Sequence, residues 1–314
     1  MGRYIVQRGL MAVVIMFLVS AIVFVVLSYS AGDPARLLLG PKASEEKVEI
    51  MREQMGLNEP VITRYVKYIG GVLHGDFGNS WRSGKPITAE ISTALPRTIA
   101  LAGISLLFTV ALAIPLGTVM ALKQHSVFDN IMVILILVIA SLPEFLIGLI
   151  LMMIFAVKLH LLPTSGLEWY NYIMPIASMV IMGTGGLARF TKSVMLDTLG
   201  QDYIRTARAK GAGEGRVVIR HILKNSFIPI LTMVGITAAS SLGGAIIIES
   251  LFSIPGLGML SLNAINTKDM PLTLGCVLLM SAFYSVITLL IDILYSYIDP
   301  RIKAEYSRKK VTAK

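Results

Sequence analysis

Residues 9–30 read GLMAVVIMFLVSAIVFVVLSYS, a stretch of 22 residues without a single charge. A bilayer's hydrocarbon core is about 30 Å thick, and about 20 apolar residues of helix cross it. Only a helix or a closed barrel satisfies its own backbone there. The run exceeds the roughly 7–15 apolar residues of a secretory leader, and the following Gly32-Asp33-Pro34 lacks a small-x-small cleavage pattern. It reads as a transmembrane helix.

Working outward, five further segments have the same character: roughly 98–122, 131–157, 172–195, 228–252 and 272–298. The fourth is the least apolar. Pro175, Gly183, Gly185 and Gly186 interrupt it, and such small residues let helices approach closely, so it is expected in the bundle interior. Composition agrees: 55% of the 314 residues are hydrophobic and 15% charged, with mean hydropathy +0.73. A soluble domain carries about 25% charge. The expectation is an all-α polytopic membrane protein with six spans.

The net charge of +9 invites a nucleic-acid reading, but the cations do not gather in one basic domain. With the N-terminus inside, 17 Lys and Arg fall in the tails and loops on that side. Only Lys158 and Lys268 fall in short loops on the other side. Nine more lie in the long 31–97 loop, nearly balanced by eight acids, and long loops count little. The orientation read from this is N-in and C-in, with the basic tail 299–314 close to anionic lipid. No nucleic-acid partner is needed.

The loop 31–97 reads as a small ordered external subdomain. Ser44 can cap a helix that opens with Glu45 and Glu46 and stops at Gly56, with Val48, Met51 and Met55 on one face. After Pro60, Ile62, Tyr65, Val66 and Ile69 share a second face, and the turn-rich 75–80 follows. Inside, the loop 196–227 holds a short helix from Tyr203 to Lys210, with Asp202 as its cap and Gly211 as its stop. Arg205 and Arg208 lie one turn apart, with Ile204 and Ala207 on another face. On these residues alone, an ordinary positive-inside loop and an element that docks on a soluble partner both remain open.

Catalytic and metal motifs are lacking. Four scattered histidines show no ligand spacing, and the lone Cys276, inside an apolar run, excludes an intrachain disulfide and reads as packing. The nearest thing to a phosphate loop is Gly78–Pro86, which has one residue too many and proline where a hydroxyl should hold magnesium. Most of the seventeen methionines are spread through apolar spans, as gap-filling residues are. The chain is therefore not an enzyme and carries no cofactor; ATP, if it drives anything here, is hydrolysed elsewhere. Three acids fall within spans: Glu144, Glu249 and Asp292. Each either pairs structurally or lines a translocation path. Glu249 is near the outer end and within reach of water. Glu144 follows Pro143 near mid-span, where the helix can kink.

Several short strings recur in a fixed order: Gly32-Asp33-Pro34, Leu57-Asn58-Glu59-Pro60, Gly75-Asp76-Phe77-Gly78-Asn79-Ser80 and Leu95-Pro96-Arg97-Thr98. The block from Asp202 to Gly211 follows, with His221, Asn225 and Pro229, then Glu249-Ser250-Leu251-Phe252, Pro255-Gly256-Leu257-Gly258 and Asp299-Pro300-Arg301. Together they resemble the first permease chain of peptide and nickel importers of the ATP-binding-cassette superfamily, over almost the whole chain. The resemblance implies that 202–211 is a coupling helix, with Tyr203, Arg205, Ala207, Arg208, Lys210 and Gly211 at the ATPase. Two departures stand out: Arg205 where the superfamily commonly has Glu, and Glu144 where relatives carry small, apolar or amide residues.

The implied partners are a second homologous permease subunit, two ATP-binding-cassette ATPase subunits, an extracytoplasmic substrate-binding protein and membrane lipid. The implied location is a bacterial or archaeal cytoplasmic membrane. The expected activity is import of short peptides by alternating access, with nickel or a nickel chelate as the second reading. The expected divisions are 1–30, 31–97, 98–298 and 299–314. A stand-alone ion-driven carrier or channel would instead show inverted repeats and charges paired across the bundle centre. No repeat relates the two halves.

Overall fold

The computed structural model describes residues 2–30 and 32–298; the side chains of 2–5, 242, 292 and 294–298, and the whole basic tail 299–314, fall outside the description. The first span is α1 (Gly2–Tyr29). Three short helices follow, α2 (Pro34–Leu39), α3 (Glu45–Gln54) and α4 (Val61–Leu73). Then come α5 (Ile87–Leu122), α6 (Val127–Ala140), α7 (Glu144–Leu151) with a π-helical extension to Lys158, and α8 (Ile173–Leu199). The remainder is α9 (Asp202–Ala209), α10 (Glu214–Arg216), π-helical Val217–Leu223, α11 (Lys224–Leu251), α12 (Leu257–Asn266) and α13 (Met270–Ile298).

Five of these helices are long and apolar enough to cross a membrane, and a sixth crossing needs the pair α6 and α7 taken together. The expected third span is therefore broken: its halves meet at 100°. Pro143 is the cause. It has no N–H to donate, and its ring drives Leu142 out of the helical region. A kink was expected, and the chain instead turns a corner.

The fourth span departs in the opposite sense. α8 is continuous, because Pro175 lies in its first turn, where no intrahelical donor is lost. It is also the most enclosed of the five long apolar helices, as its small residues foretold. A Cβ on Gly117 of α5 would lie 2.4 Å from the Ala188 carbonyl oxygen, and one on Gly183 3.0 Å from the Thr109 methyl. Glycine is what lets α5 and α8 touch. α1 is the least enclosed and packs along α13.

The region 31–97 is helical, as expected, but α5 begins at Ile87, so the last part of 31–97 belongs to a span helix. Ser44 stands at the N-cap of α3 without a side-chain bond, while Gly56 does take positive φ (+68°). Val48 is buried. Asn58 and Arg52 donate hydrogen bonds to Glu49 and hold its carboxyl below the usual range. On α4 the expected face is divided: Ile62 and Val66 are exposed, while Tyr65 packs with Val61 and Tyr68 on Phe24, Met270 and Leu274.

Candidate coupling loop and the opposite junction

At the Leu199 end of the bundle, α9 is a separate, nearly detached helix. Asp202 is its first residue rather than its cap, which is Gln201. Ile204 alone is fully buried, in a cluster with Ala121, Met195, Val217 and Ile222. Ala207 follows it at half burial, so this residue faces the bundle more than open space. Tyr203, Arg205, Arg208 and Lys210 are exposed.

Gly211 has φ +81°, and its N–H bonds the Arg208 carbonyl (2.9 Å) while Ala212 reaches Ala207 (3.2 Å). A glycine ends α9 in the left-handed conformation that glycine adopts without penalty. Nothing lies within 4 Å of a Cβ built there, so its requirement is conformational and not steric. Arg208 is already engaged: its guanidinium donates to both carboxylate oxygens of Glu214 (2.8 and 3.1 Å), fixing α9 against α10. Sequence reading placed Arg208 with the outward cations and missed this tie.

At the opposite end, Glu249 does not reach water. It is fully buried, accepting from the Thr98 hydroxyl (2.6 Å) and the Met259 N–H (3.0 Å). Thr98 in turn accepts from the Leu257 N–H (2.7 Å). These two side chains take up N–H groups of the first turn of α12, which a helix cannot satisfy itself. Gly256 and Gly258 belong to the same device, since a Cβ on either would lie 2.3 or 2.9 Å from the carboxylate.

Asp269 is a second clamp, overlooked in the sequence because it lies in a loop. It is 2% exposed and accepts from the Ser80 hydroxyl, the Trp81 and Arg82 N–H groups (both 3.2 Å) and its own Leu272 N–H (3.3 Å). The phosphate-loop lookalike is thus a tight turn folded around Asp269, closed by the Ser80 N–H on the Lys85 carbonyl (2.9 Å). A cleft of about 510 Å³ opens beside it, with Arg82, Glu90, Asn263 and Thr267 on its walls.

Glu144 opens α7 and is half buried, its carboxylate 2.8 Å from where Gly244 of α11 would carry a Cβ. Asp292 lies on α13, and its side chain is outside the described residues. The structure therefore does not gather Glu144 and Glu249 into one site. A further buried acid, Asp129, pairs with Lys192 (2.6 Å) and accepts from the His125 N–H (3.0 Å), tying α6 to α8. Cys276 is buried among Ile87, Leu257 and Leu272, as packing requires. Among the described residues, no group of three or more His, Cys, Asp or Glu could hold a metal ion.

Comparison with known proteins matches residues 113–304 to the binding-protein-dependent transport system inner membrane component family, and 1–102 to its N-terminal companion. The chain is similar to the glutathione transport system permease protein GsiC. It is 37% identical to the protein of Salmonella paratyphi A and 36% to that of Escherichia coli K12, over 96% of this chain and 99% of each relative. In structure it resembles the inward-facing methionine transporter MetNI, with TM-score 0.56 at 15% identity, over 68% of this chain and 99% of that one.

Proposed function

We propose a role from the premise that this chain belongs to the family of inner-membrane components of binding-protein-dependent transport systems, the permease subunits of ATP-binding-cassette importers. Such permeases are embedded in the membrane, are not enzymes, carry no cofactor and work with ATPase subunits and a substrate-binding protein. Within that frame, the chain pairs with a second permease chain and moves short peptides inward, glutathione-like tripeptides among them. The permease named for glutathione among its relatives supports that solute class.

The observation that supports the mechanism is α9, a basic helix whose one fully buried side chain is Ile204, with Tyr203, Arg205 and Lys210 turned outward. A groove in each of two ATPase subunits takes such a helix, and closure of the ATPases on ATP drags it. The drag passes through the Ile204 cluster to α8 and to the π-helical segment that feeds α11, both of which contact that cluster. Alternating access follows from rocking of these spans. Solute contact in the path stays weak, since capture belongs to the binding protein; Glu144 at the α6–α7 corner is the residue of this chain best placed to tune it.

The reading is tested in vesicles holding the whole complex and its binding protein. Uptake of glutathione and short peptides is expected to require internal ATP and the binding protein. Uptake driven by an ion gradient, with the chain purifying free of ATPase chains, would make it a carrier. Nickel uptake without peptide uptake would move the solute to the second class. Orientation is read by single cysteines in a Cys276→Ala background: Lys47→Cys should react from outside and Gln124→Cys only from inside.

A further inference from the structure

Helix α4 sits at an unexpected depth. The Tyr65 hydroxyl donates to the Phe17 carbonyl (2.9 Å) and lies 2.8 Å from the Ser20 hydroxyl. Phe17 is twelve residues before Tyr29, about 18 Å along α1 at roughly 1.5 Å per residue. The uncharged run of α1 is about 33 Å long by the same rise, which just fills a hydrocarbon core of about 30 Å. α1 therefore has little apolar length to spare above the membrane, and a partner that touches Phe17 reaches toward mid-bilayer.

The rest of α4 fits that position. Its inner face packs Tyr65 edge-on against Phe24 (5.3 Å between ring centres), and Arg64 lies over the same ring (5.5 Å). Its outer face presents Ile62, Val66 and Leu73, 78%, 63% and 70% exposed, spaced as one helical stripe. Beside it, α1 exposes Val14, Leu18, Ile22 and Val25, the surface of a span that meets lipid. Lys67, one residue beyond the stripe, is held by both oxygens of Glu59 (2.5 and 2.7 Å).

We propose that α4 is an interfacial helix of the leaflet at the Tyr29 end of α1, with Ile62, Val66 and Leu73 against lipid acyl chains. An amphipathic helix of this kind sinks about 5–10 Å into the boundary region. Tyr65 then hydrogen-bonds where no water competes, which strengthens the tie. Because Tyr68 and Trp81 join the same cluster as Met270, the bilayer also positions the turn around Asp269.

The test uses the assembled complex in lipid nanodiscs, with a bimane label on Val66→Cys in the Cys276→Ala background. Lys47→Cys on exposed α3 is the aqueous control, and Ile62→Cys repeats the reading should the Val66 variant fail to assemble. The expected result is loss of most Val66 fluorescence with lipids carrying a nitroxide on the acyl chain, and little loss with iodide, the reverse of Lys47. Iodide quenching at 62 and 66 equal to that at 47 would place the stripe in water and overturn the proposal. Shielding of both positions from both quenchers would put a protein there instead, and overturn it equally.

Discussion

At the Leu257 end of the bundle, carboxylates are buried and their oxygens taken by neighbouring N–H and O–H groups, whereas at the Leu199 end charged side chains stand exposed on α9. Glu249 and Asp269 join segments more than 150 residues apart in sequence, the first through Thr98 and the second through Ser80. α9, by contrast, is pinned by Ile204 and tied by Arg208 only to a residue six positions on. A buried carboxylate with its hydrogen bonds complete fixes one arrangement, because any shift strands a charged acceptor. α9 is held by the buried Ile204, the half-buried Ala207 and the Arg208–Glu214 pair. The difference fits the proposed role of α9: the Leu257 junction is fixed by partners distant in sequence, and α9 is held by its near neighbours.

The largest effect should come from breaking the fixed end. Glu249→Ala leaves the Thr98 hydroxyl and the Met259 N–H without their acceptor and is expected to cost about 3 kcal/mol. A fall in the thermal midpoint of the purified complex checks this; an unchanged midpoint would mean that Glu249 clamps nothing. Next, Asp269→Ala should cost about 2 kcal/mol and free the turn it organises. Amide hydrogen exchange should quicken across residues 78–86 while the spans keep their protection. If that turn exchanges no faster, Asp269 is not its organiser.

At α9 the order of effects reverses, small in stability and large in transport. Gly211→Val forces a branched side chain into the left-handed region, at about 1–2 kcal/mol. Membrane level and thermal midpoint should stay near normal, while ATP-driven uptake falls about tenfold, the equivalent of roughly 1.4 kcal/mol in coupling. Gly211→Asn, which tolerates that conformation, should recover most of the loss. Smallest of all, Glu144→Gln should change peptide uptake by about twofold at most, since a neutral amide still fills the space beside Gly244. Selective loss of cationic peptides in that variant would sharpen the comparison differently, making the α6–α7 corner a charged part of the path.

Much of this division was legible in the sequence. Apolar run lengths marked the spans, the glycines of 183–186 marked α8 as an interior helix, and Gly211 announced the end of α9, because each of these is a local property of the chain. What stayed hidden depends on partners distant in sequence. Glu249 reads as a costly acid near a span end until Gly256 and Gly258 fold onto it. Asp269 reads as an unremarkable loop residue until the 80–82 backbone arrives. The shared face of α4 was legible, but because lipid and protein both accept apolar side chains, periodicity alone could not say which of its residues met Phe24. Pro143 was seen as a kink, while the extent of the turn was decided by how α7 packs on α8 and α11.

α9 is the proposed handle by which ATPases move this chain. Arg205→Ala removes one exposed charge from that helix and leaves the Ile204 anchor and the Arg208–Glu214 tie in place. ATPase chains co-purifying with the permease pair should be counted for this variant and for the unaltered protein, with thermal midpoints measured on the same samples. The expected result is an unchanged midpoint with most of the ATPase lost. Full ATPase occupancy with normal ATP-driven uptake would contradict the assignment of α9 as the coupling element.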